Sequence, residues 1–292
     1  ELDLALTDVR FDMSKQQVFL DGMQLTSIGI SGIQEIQLPR STNNTERIVR
    51  SSTPDGLNIR LEAASYKGRK GTLSLSAFVL PAKAQVHLSI PESQNSFRLS
   101  LVEDRLAFRV QVNGPITVFW SDRPPEQVVF ASPTSVLLKS GVTGTDITLA
   151  LAGKVFSISK QLMVENLSVL HVNQLVEPDR TLARHVSGIV SGTLYLESLN
   201  GKTRTLRMRE VLRLTKPKGE IRVIQLEPEH FRLNFYGKVQ GLSTGADNYP
   251  RSLMPTYLEY LQANHSASLF WSAAMYLFGL IIITLRWWGY AV

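Results

Sequence analysis

The feature that most constrains this chain is a run of nineteen residues near its end, Ala267 to Leu285 (ASLFWSAAMYLFGLIIITL), that carries no charge and leads straight into Arg286, Trp287 and Trp288. At about 1.5 Å per residue it makes a helix of roughly 29 Å, the thickness of a bilayer's hydrocarbon core. Trp271 lies near one end and Trp287, Trp288 and Tyr290 at the other, so three of the four tryptophans stand where amphipathic rings favour the headgroup region. A core helix of a soluble domain seldom runs this far without a charge. The sequence therefore predicts a single transmembrane helix over 267–286, a short tail over 287–292, and membrane-interface positions for Trp271, Arg286, Trp287 and Trp288.

Everything before the span must then lie on one side of the membrane. The chain opens at Glu1 rather than Met, which is read as a removed signal peptide or missing N-terminal sequence. A removed leader followed by a terminal stop-transfer helix places the large domain outside the cytoplasm, in the periplasm of a Gram-negative cell. The flanking charges, Arg286 on one side and Arg251 with Glu259 on the other, leave the positive-inside rule almost silent.

Composition narrows the class of the remaining residues. A hydrophobic content of 43% with 19% charged residues is that of a folded chain. The net charge of +6 is spread through apparent strands rather than gathered into an aromatic-interleaved stripe, so a membrane surface is the expected partner and nucleic acid is not. There is no cysteine, which excludes disulfides, thiolate metal sites and cysteine nucleophiles.

From residue 1 to about 155 the apolar residues alternate, and turn signals recur every eight to twelve residues, as in an antiparallel β-sandwich or barrel. Asp21-Gly22 marks a hairpin between 18–20 and 23–28, and Asp55-Gly56 repeats the signal. Strands are expected over 57–63, 71–80, 85–90, 96–102 and 105–112, after which Asn113-Gly114 turns the chain into 116–120. Residues 121–125, with Pro124 and Pro125, read as a surface loop, and strands follow over 127–131, 135–138 and 147–152. A second β domain is expected over 156–249. It holds a short helix capped by Asp179, a hairpin at Asn200-Gly201, a pair of strands over 221–226 and 231–239, and a polar linker over 241–248. Phe231, Leu233 and Phe235 alternate onto one face of the last strand.

After Pro250 and Pro255 the period changes, and Thr256-Tyr257-Leu258-Glu259 fits a capping box that starts the final helix. A helix from 256 to 286 spans roughly 45 Å, so residues 250–266 form a stalk of two to three turns above the hydrocarbon. The predicted fold is thus mainly β: a sandwich-like ectodomain, as one large or two smaller domains, on one C-terminal transmembrane helix.

Motifs for chemistry are sparse. The five histidines, His87, His171, His185, His230 and His265, show no metal-ligand spacing, and Glu227-Pro228-Glu229-His230 reads as a solvated connection. Gly201-Lys202-Thr203 is a hairpin turn rather than a phosphate loop, since Leu196 stands where that motif needs glycine. No catalytic residue, metal ligand or cofactor site is assigned. The densest basic run includes Lys202, Arg204, Arg207, Arg209 and Arg213; a solvated sheet face is favoured over a surface for acidic lipids or an acidic partner.

In the anchor, Ala263, Ala267, Ser268, Ser272, Ala273 and Gly279 are small residues at spacings that let another helix approach closely, and an integral membrane partner protein is expected there. Self-association is left open. These readings converge on a non-catalytic accessory or scaffold subunit of an envelope membrane complex, in the manner of polysaccharide or lipid export. Two alternatives stand beside it. The first is a β module that binds a sugar or acyl chain, recognisable by a groove lined with aromatics; the second is an enzyme whose site is assembled from distant residues.

Overall fold

The structure is a computed structural model. It describes the chain apart from residues 43, 77, 92–95, 103–105, 142–143, 154, 159, 178–179, 246–248 and 291–292, and apart from the side chains of 172–185, 267, 269 and 289–290.

The chain is mainly β, with a large antiparallel sheet and one C-terminal apolar helix. Strand β1 (Leu2–Leu6) leads into β2 (Asp8–Met13), where Val9, Phe11 and Met13 point inward and Arg10 outward, the period-two pattern of a half-buried strand. β3 (Gln17–Leu20) then reaches the Asp21-Gly22 corner, which does not close the expected hairpin. The Gly22 N–H donates to Leu75 O at 2.8 Å, and β3 pairs with the later strand Phe78–Leu80. The corner is thus held to a strand distant in sequence, and the long β4 (Met23–Leu38) leaves in another sheet.

Along one edge of β4 lie β5 (Arg47–Arg50), β6 (Leu57–Ala63) and, after the exposed hairpin of β7 (Ser65–Tyr66) and β8 (Arg69–Lys70), β9 (Thr72–Leu75). β10 (Phe78–Leu80) covers β3, and β11 (Gln85–Ser89) pairs with β12 (Phe97–Val102). β13 (Ala107–Trp120) runs straight through Asn113-Gly114, where a turn was expected. Gly114 takes φ +75° there, but the register merely shifts, pairing Val112 with Thr134 and Gly114 with Phe130. The left-handed residue makes a β-bulge within an intact ladder. Its partner β14 (Glu126–Ser140) also pairs with β4, so hydrogen bonds close a circuit from β4 through β6 and β9 to β13, on to β14 and back to β4.

β15 (Thr145–Leu151) lies with β14 on the opposite edge of β4 from β6 and extends the ladder to β12, β11 and β2. The boundary expected near 155 falls between β15 and β16 (Phe156–Ile158), and ladders cross it. β17 (Leu162–Ser168) pairs with β2, while β1 lies between two strands from the far end of the chain.

The helix expected near Asp179 is instead a β-hairpin of β18 (Leu170–Glu177) and β19 (Arg180–Ser187), paired along its whole length; Pro178 and Asp179 themselves lie outside the described residues. The cap signal was a single Asp, and cross-strand pairing along both strands outweighs it. β20 (Ile189–Leu196) and β21 (Lys202–Leu206) form the hairpin expected at Asn200-Gly201, with a 3-10 turn at Glu197–Leu199 and both turn residues at positive φ. β22 (Leu212–Thr215) precedes the pair β23 (Lys218–Leu226) and β24 (Phe231–Lys238), where Phe231, Leu233 and Phe235 are buried together. The supposed linker is partly β25 (Gly241–Thr244), paired with β22 and with β26 (Arg251–Ser252); Leu242 is buried against the core.

One contiguous cluster of buried side chains runs from Leu2 to Leu242. Phe11 meets Phe19 and Phe78 meets Phe108 edge-on, with ring centroids 6.0 and 5.4 Å apart. Each such ring contributes about 1.5–3 kcal/mol by burial. The chain ends in α1 (Tyr257–Asn264) and α2 (Ser266–Tyr290).

Candidate functional site

The predicted capping box is present. The Thr256 hydroxyl accepts from the Glu259 N–H at 3.3 Å, and Glu259 Oε2 accepts from the Thr256 N–H at 2.9 Å. The Thr256 N–H first, and then the Thr256 hydroxyl, which also donates to Glu259 Oε2 at 3.1 Å, hold the Glu259 carboxyl below its usual range. The expected single helix is nevertheless two, divided at His265, where φ is −135°. The break has a tertiary cause: the carbonyl of Ala263 accepts from Asn200 Nδ2 at 2.6 Å, and Asn264 Nδ2 donates to Ser198 O at 2.8 Å. The last turn of α1 is tied to the β20–β21 turn, and the Ser268 hydroxyl, donating to His265 O at 2.9 Å, begins the next helix. What was expected to be a stalk is a helix lashed to the β body.

α2 contains a nineteen-residue stretch, Phe270–Trp288, of mean hydropathy 1.5, none of which is buried. Trp271 is 64% exposed, Trp287 and Trp288 79% each, and Arg286 is exposed. Of the small residues, Ala263 belongs to α1 and is half-buried there, whereas Ser268, Ser272, Ala273 and Gly279 lie on α2; the side chain of Ala267 is outside the described residues. The Ser272 hydroxyl donates to Ser268 O at 2.8 Å, so it is satisfied within its own helix. Spacings of four and seven bring Ser268, Ser272 and Gly279 to one face, and a side chain added at Gly279 meets nothing within 4 Å.

The basic run does not form one face. Arg204 pairs with Glu210 at 2.6 Å, and Arg213 donates to Gly245 O at 2.9 Å, whereas Lys202, Arg207 and Arg209 are exposed. Burial, the strongest single influence on Glu210, pushes its carboxyl up. The Arg207 N–H, the Thr244 hydroxyl and Arg204 together outweigh it and hold the group below the usual range. Glu210 is a structural hub within this basic segment.

Folding assembles a polar region that no local motif announces. Asp8, only 8% exposed, contacts His87 Nε2 at 2.6 Å through Oδ2, while its Oδ1 stands 3.8 Å from His171 Nδ1. Among the described residues Asp8 Oδ1 and His171 Nδ1 are buried without a hydrogen-bond partner, and both residues line a cavity of about 810 Å³ together with Ser89, Arg209 and Glu229. On the same outward sheet face Asp146 takes hydrogen bonds from Arg98, at 2.5 Å, and from Ser100. Burial is again the largest influence on Asp146 and raises it. Arg98, Ser100 and the charge of His87 bring it below its usual value.

A second hollow, of about 520 Å³, is lined by Arg60, Arg98, Asp146, Phe119 and Trp120. The Arg60 guanidinium sits 4.5 Å over the Phe119 ring and that of Arg123 5.0 Å from the Trp120 ring; Trp120 Nε1 is a buried donor without a partner among the described residues. Among the described residues no group of three or more His, Asp or Glu side chains is placed to hold a metal ion.

Comparison with protein-family models, with curated proteins and with solved structures finds no match. The site must therefore be read from its own residues. His230 pairs loosely with Glu227, at 3.5 Å, in the turn between β23 and β24, as suits the connection expected there. The Asp8, His87 and His171 cluster lies outside sequence reasoning because its members are 79 and 84 positions apart along the chain. The sole hint was period two, which places Asp8 and His87 on outward positions of their strands.

Proposed function

We propose that this chain is a non-catalytic, membrane-anchored accessory or scaffold subunit of an envelope membrane complex. Its β-sandwich-like body would lie outside the cytoplasm, periplasmic in a Gram-negative cell, and α2 would cross the cell membrane once. The observation that carries the reading is the joint between the two parts. The exposed apolar helix continues from a helix fixed to the β body by Asn200 and Asn264, so a partner gripping α2 also orients the body. The body itself is read as two β units, 1–155 and 156–249, with the first strand of the chain placed among strands of the second.

The face of Ser268, Ser272 and Gly279 is the proposed contact for an integral partner's span, since association in lipid depends on close van der Waals approach. Residues 250–266 join body to span. Trp271, Arg286, Trp287 and Trp288 mark the headgroup levels, and Lys202, Arg207 and Arg209 remain available to an acidic surface. The test is purification of the full chain in mild detergent. A membrane protein that co-purifies at fixed stoichiometry supports the reading, and a chain recovered alone from native membranes refutes it. Protease added outside spheroplasts should digest the body, and protection there would reverse the topology.

A further inference from the structure

The pairing register places outward-facing positions from seven strands in one continuous row. Asp8 on β2 stands opposite Ser89 on β11, Ser89 opposite Arg98 on β12, Arg98 opposite Thr148 on β15, Thr148 opposite Gly29 on β4, Gly29 opposite Arg60 on β6, and Arg60 opposite Phe119 on β13. A second row beside it runs Arg10, His87, Ser100 and Asp146. Six inter-strand steps of about 4.8 Å give the first row a length of roughly 29 Å.

Three hollows are strung along these rows. The cavity of Asp8 and His171 lies at one end, a hollow of about 380 Å³ lined by Arg10, His87 and Ser100 lies beside it, and the hollow of Arg60, Phe119 and Trp120 lies at the other end. Pro91 borders both end hollows, so they adjoin.

We infer that this face binds a linear, uncharged, hydroxylated polymer: a neutral polysaccharide laid across the strands. Three observations select that chemistry. The rows mix donors and acceptors residue by residue, and a sugar hydroxyl is the group that can serve both at once. The charges lining the three hollows balance, Arg10, Arg60, Arg98 and Arg209 against Asp8, Asp12, Asp146 and Glu229, with Arg98 paired to Asp146 and Arg60 to Glu62 at 3.1 Å, so little net field is left to select a polyanion. At the two ends, apolar surface from Phe119, and from Ile90 with Met208, adjoins the polar groups, the mixed lining of a site that takes a ring with one apolar face. The inference is independent of the anchored-subunit reading, because the face lies wholly on the β body.

The test uses the full chain in lipid nanodiscs and calorimetric titration with neutral oligosaccharides of glucose and of N-acetylglucosamine, as dimers and as hexamers, with a galacturonate hexamer as the anionic probe. The expected result is that one neutral hexamer binds at least about tenfold more tightly than its dimer, because only the longer chain spans the whole row. Ser89→Trp and Thr148→Trp, which add bulk to half-buried outward positions, should each weaken that binding at least about tenfold while leaving the thermal transition in place. Equal affinity for dimer and hexamer, tighter and salt-dependent binding of the galacturonate hexamer, or no binding of any neutral hexamer at about 10 mM would each overturn the proposal. Capture of an extended peptide on this face in preference to the oligosaccharides would also overturn it. The length comparison is made on the unaltered chain, so it decides the matter even if a tryptophan variant fails to fold.

Discussion

Gly71→Ala should be among the most damaging single-methyl additions in the β body. Gly71 follows the β7–β8 hairpin where the chain returns to β9, and a Cβ there would lie 1.8 Å from Pro115 O and 2.8 Å from Pro115 C. Both are backbone atoms of β13, so relief requires moving a strand by well over an ångström. That movement strains two backbone hydrogen bonds, Gly71 N–H to Ala64 O at 2.7 Å and Ala64 N–H to Pro115 O at 3.0 Å. Two bonds at about 1 kcal/mol each and an overpacking cost of about 1–3 kcal/mol, offset by about 0.4–1 kcal/mol from the stiffer unfolded chain, leave a net loss of roughly 3 kcal/mol. For a chain of this size that lowers the midpoint of thermal unfolding by roughly 6–12 °C. Gly68→Ala supplies the control, because Gly68 has φ +76° and open space around its added Cβ, so its cost is backbone strain alone, about 1–2 kcal/mol. Intrinsic tryptophan fluorescence on heating measures both. If Gly68→Ala unfolds at or below the midpoint of Gly71→Ala, the close approach of β9 to β13 does not hold and the argument fails.

Acid stability offers a second check. Lys139, Gln37 and Arg50, in that order, hold the Glu35 carboxyl down at about 2, so its contribution is present above the ordinary glutamate range near 4.5 and is lost as pH falls from there towards about 2. Glu35→Gln should therefore narrow the gap in urea midpoint between about pH 6 and about pH 3, and an unchanged gap would count against it. At the joint, Asn264→Ala and Asn200→Ala should each loosen α1 by about 1 kcal/mol, seen as faster amide exchange in 257–265 with the β core unaffected. Equal exchange in the variants would show that the two side chains do not fasten the helix. In the membrane, Ser268→Leu, Ser272→Leu and Gly279→Leu should release a co-purifying partner, whereas Leu277→Phe and Leu280→Phe, on the other side of the helix, should retain it; retention by all five would make α2 an anchor alone.

Much of the secondary structure was legible because it rests on local patterns. The strand Leu57–Ala63 matches its expected bounds, the alternation of Phe231, Leu233 and Phe235 marked a core face, and Thr256 with Glu259 fixed a helix start. The apolar run near the end was equally plain, since length and lack of charge are properties of the sequence itself. The Asn-Gly pairs show where local reading stops. At 200–201 both residues adopt positive φ and the chain reverses; at 113–114 Gly114 alone does so, and the strand continues as a bulge. The dipeptide reports a permitted backbone angle. Which outcome follows depends on the partner strand, and β14, with Pro133 in its displaced segment, lies many residues away.

The same division holds for the candidate sites. The sequence by itself determined an uncharged helix of bilayer length, a β-rich body and a capped helix start, because hydrophobic period and capping chemistry act over a few residues. Only the tertiary structure decided that the helix breaks at His265, that Arg204 and Arg213 turn inward from the basic run, and that Asp8 meets His87 and His171. Each of these rests on register between strands far apart in sequence, and register is set by the burial of whole faces at once. No window of neighbouring residues contains that information.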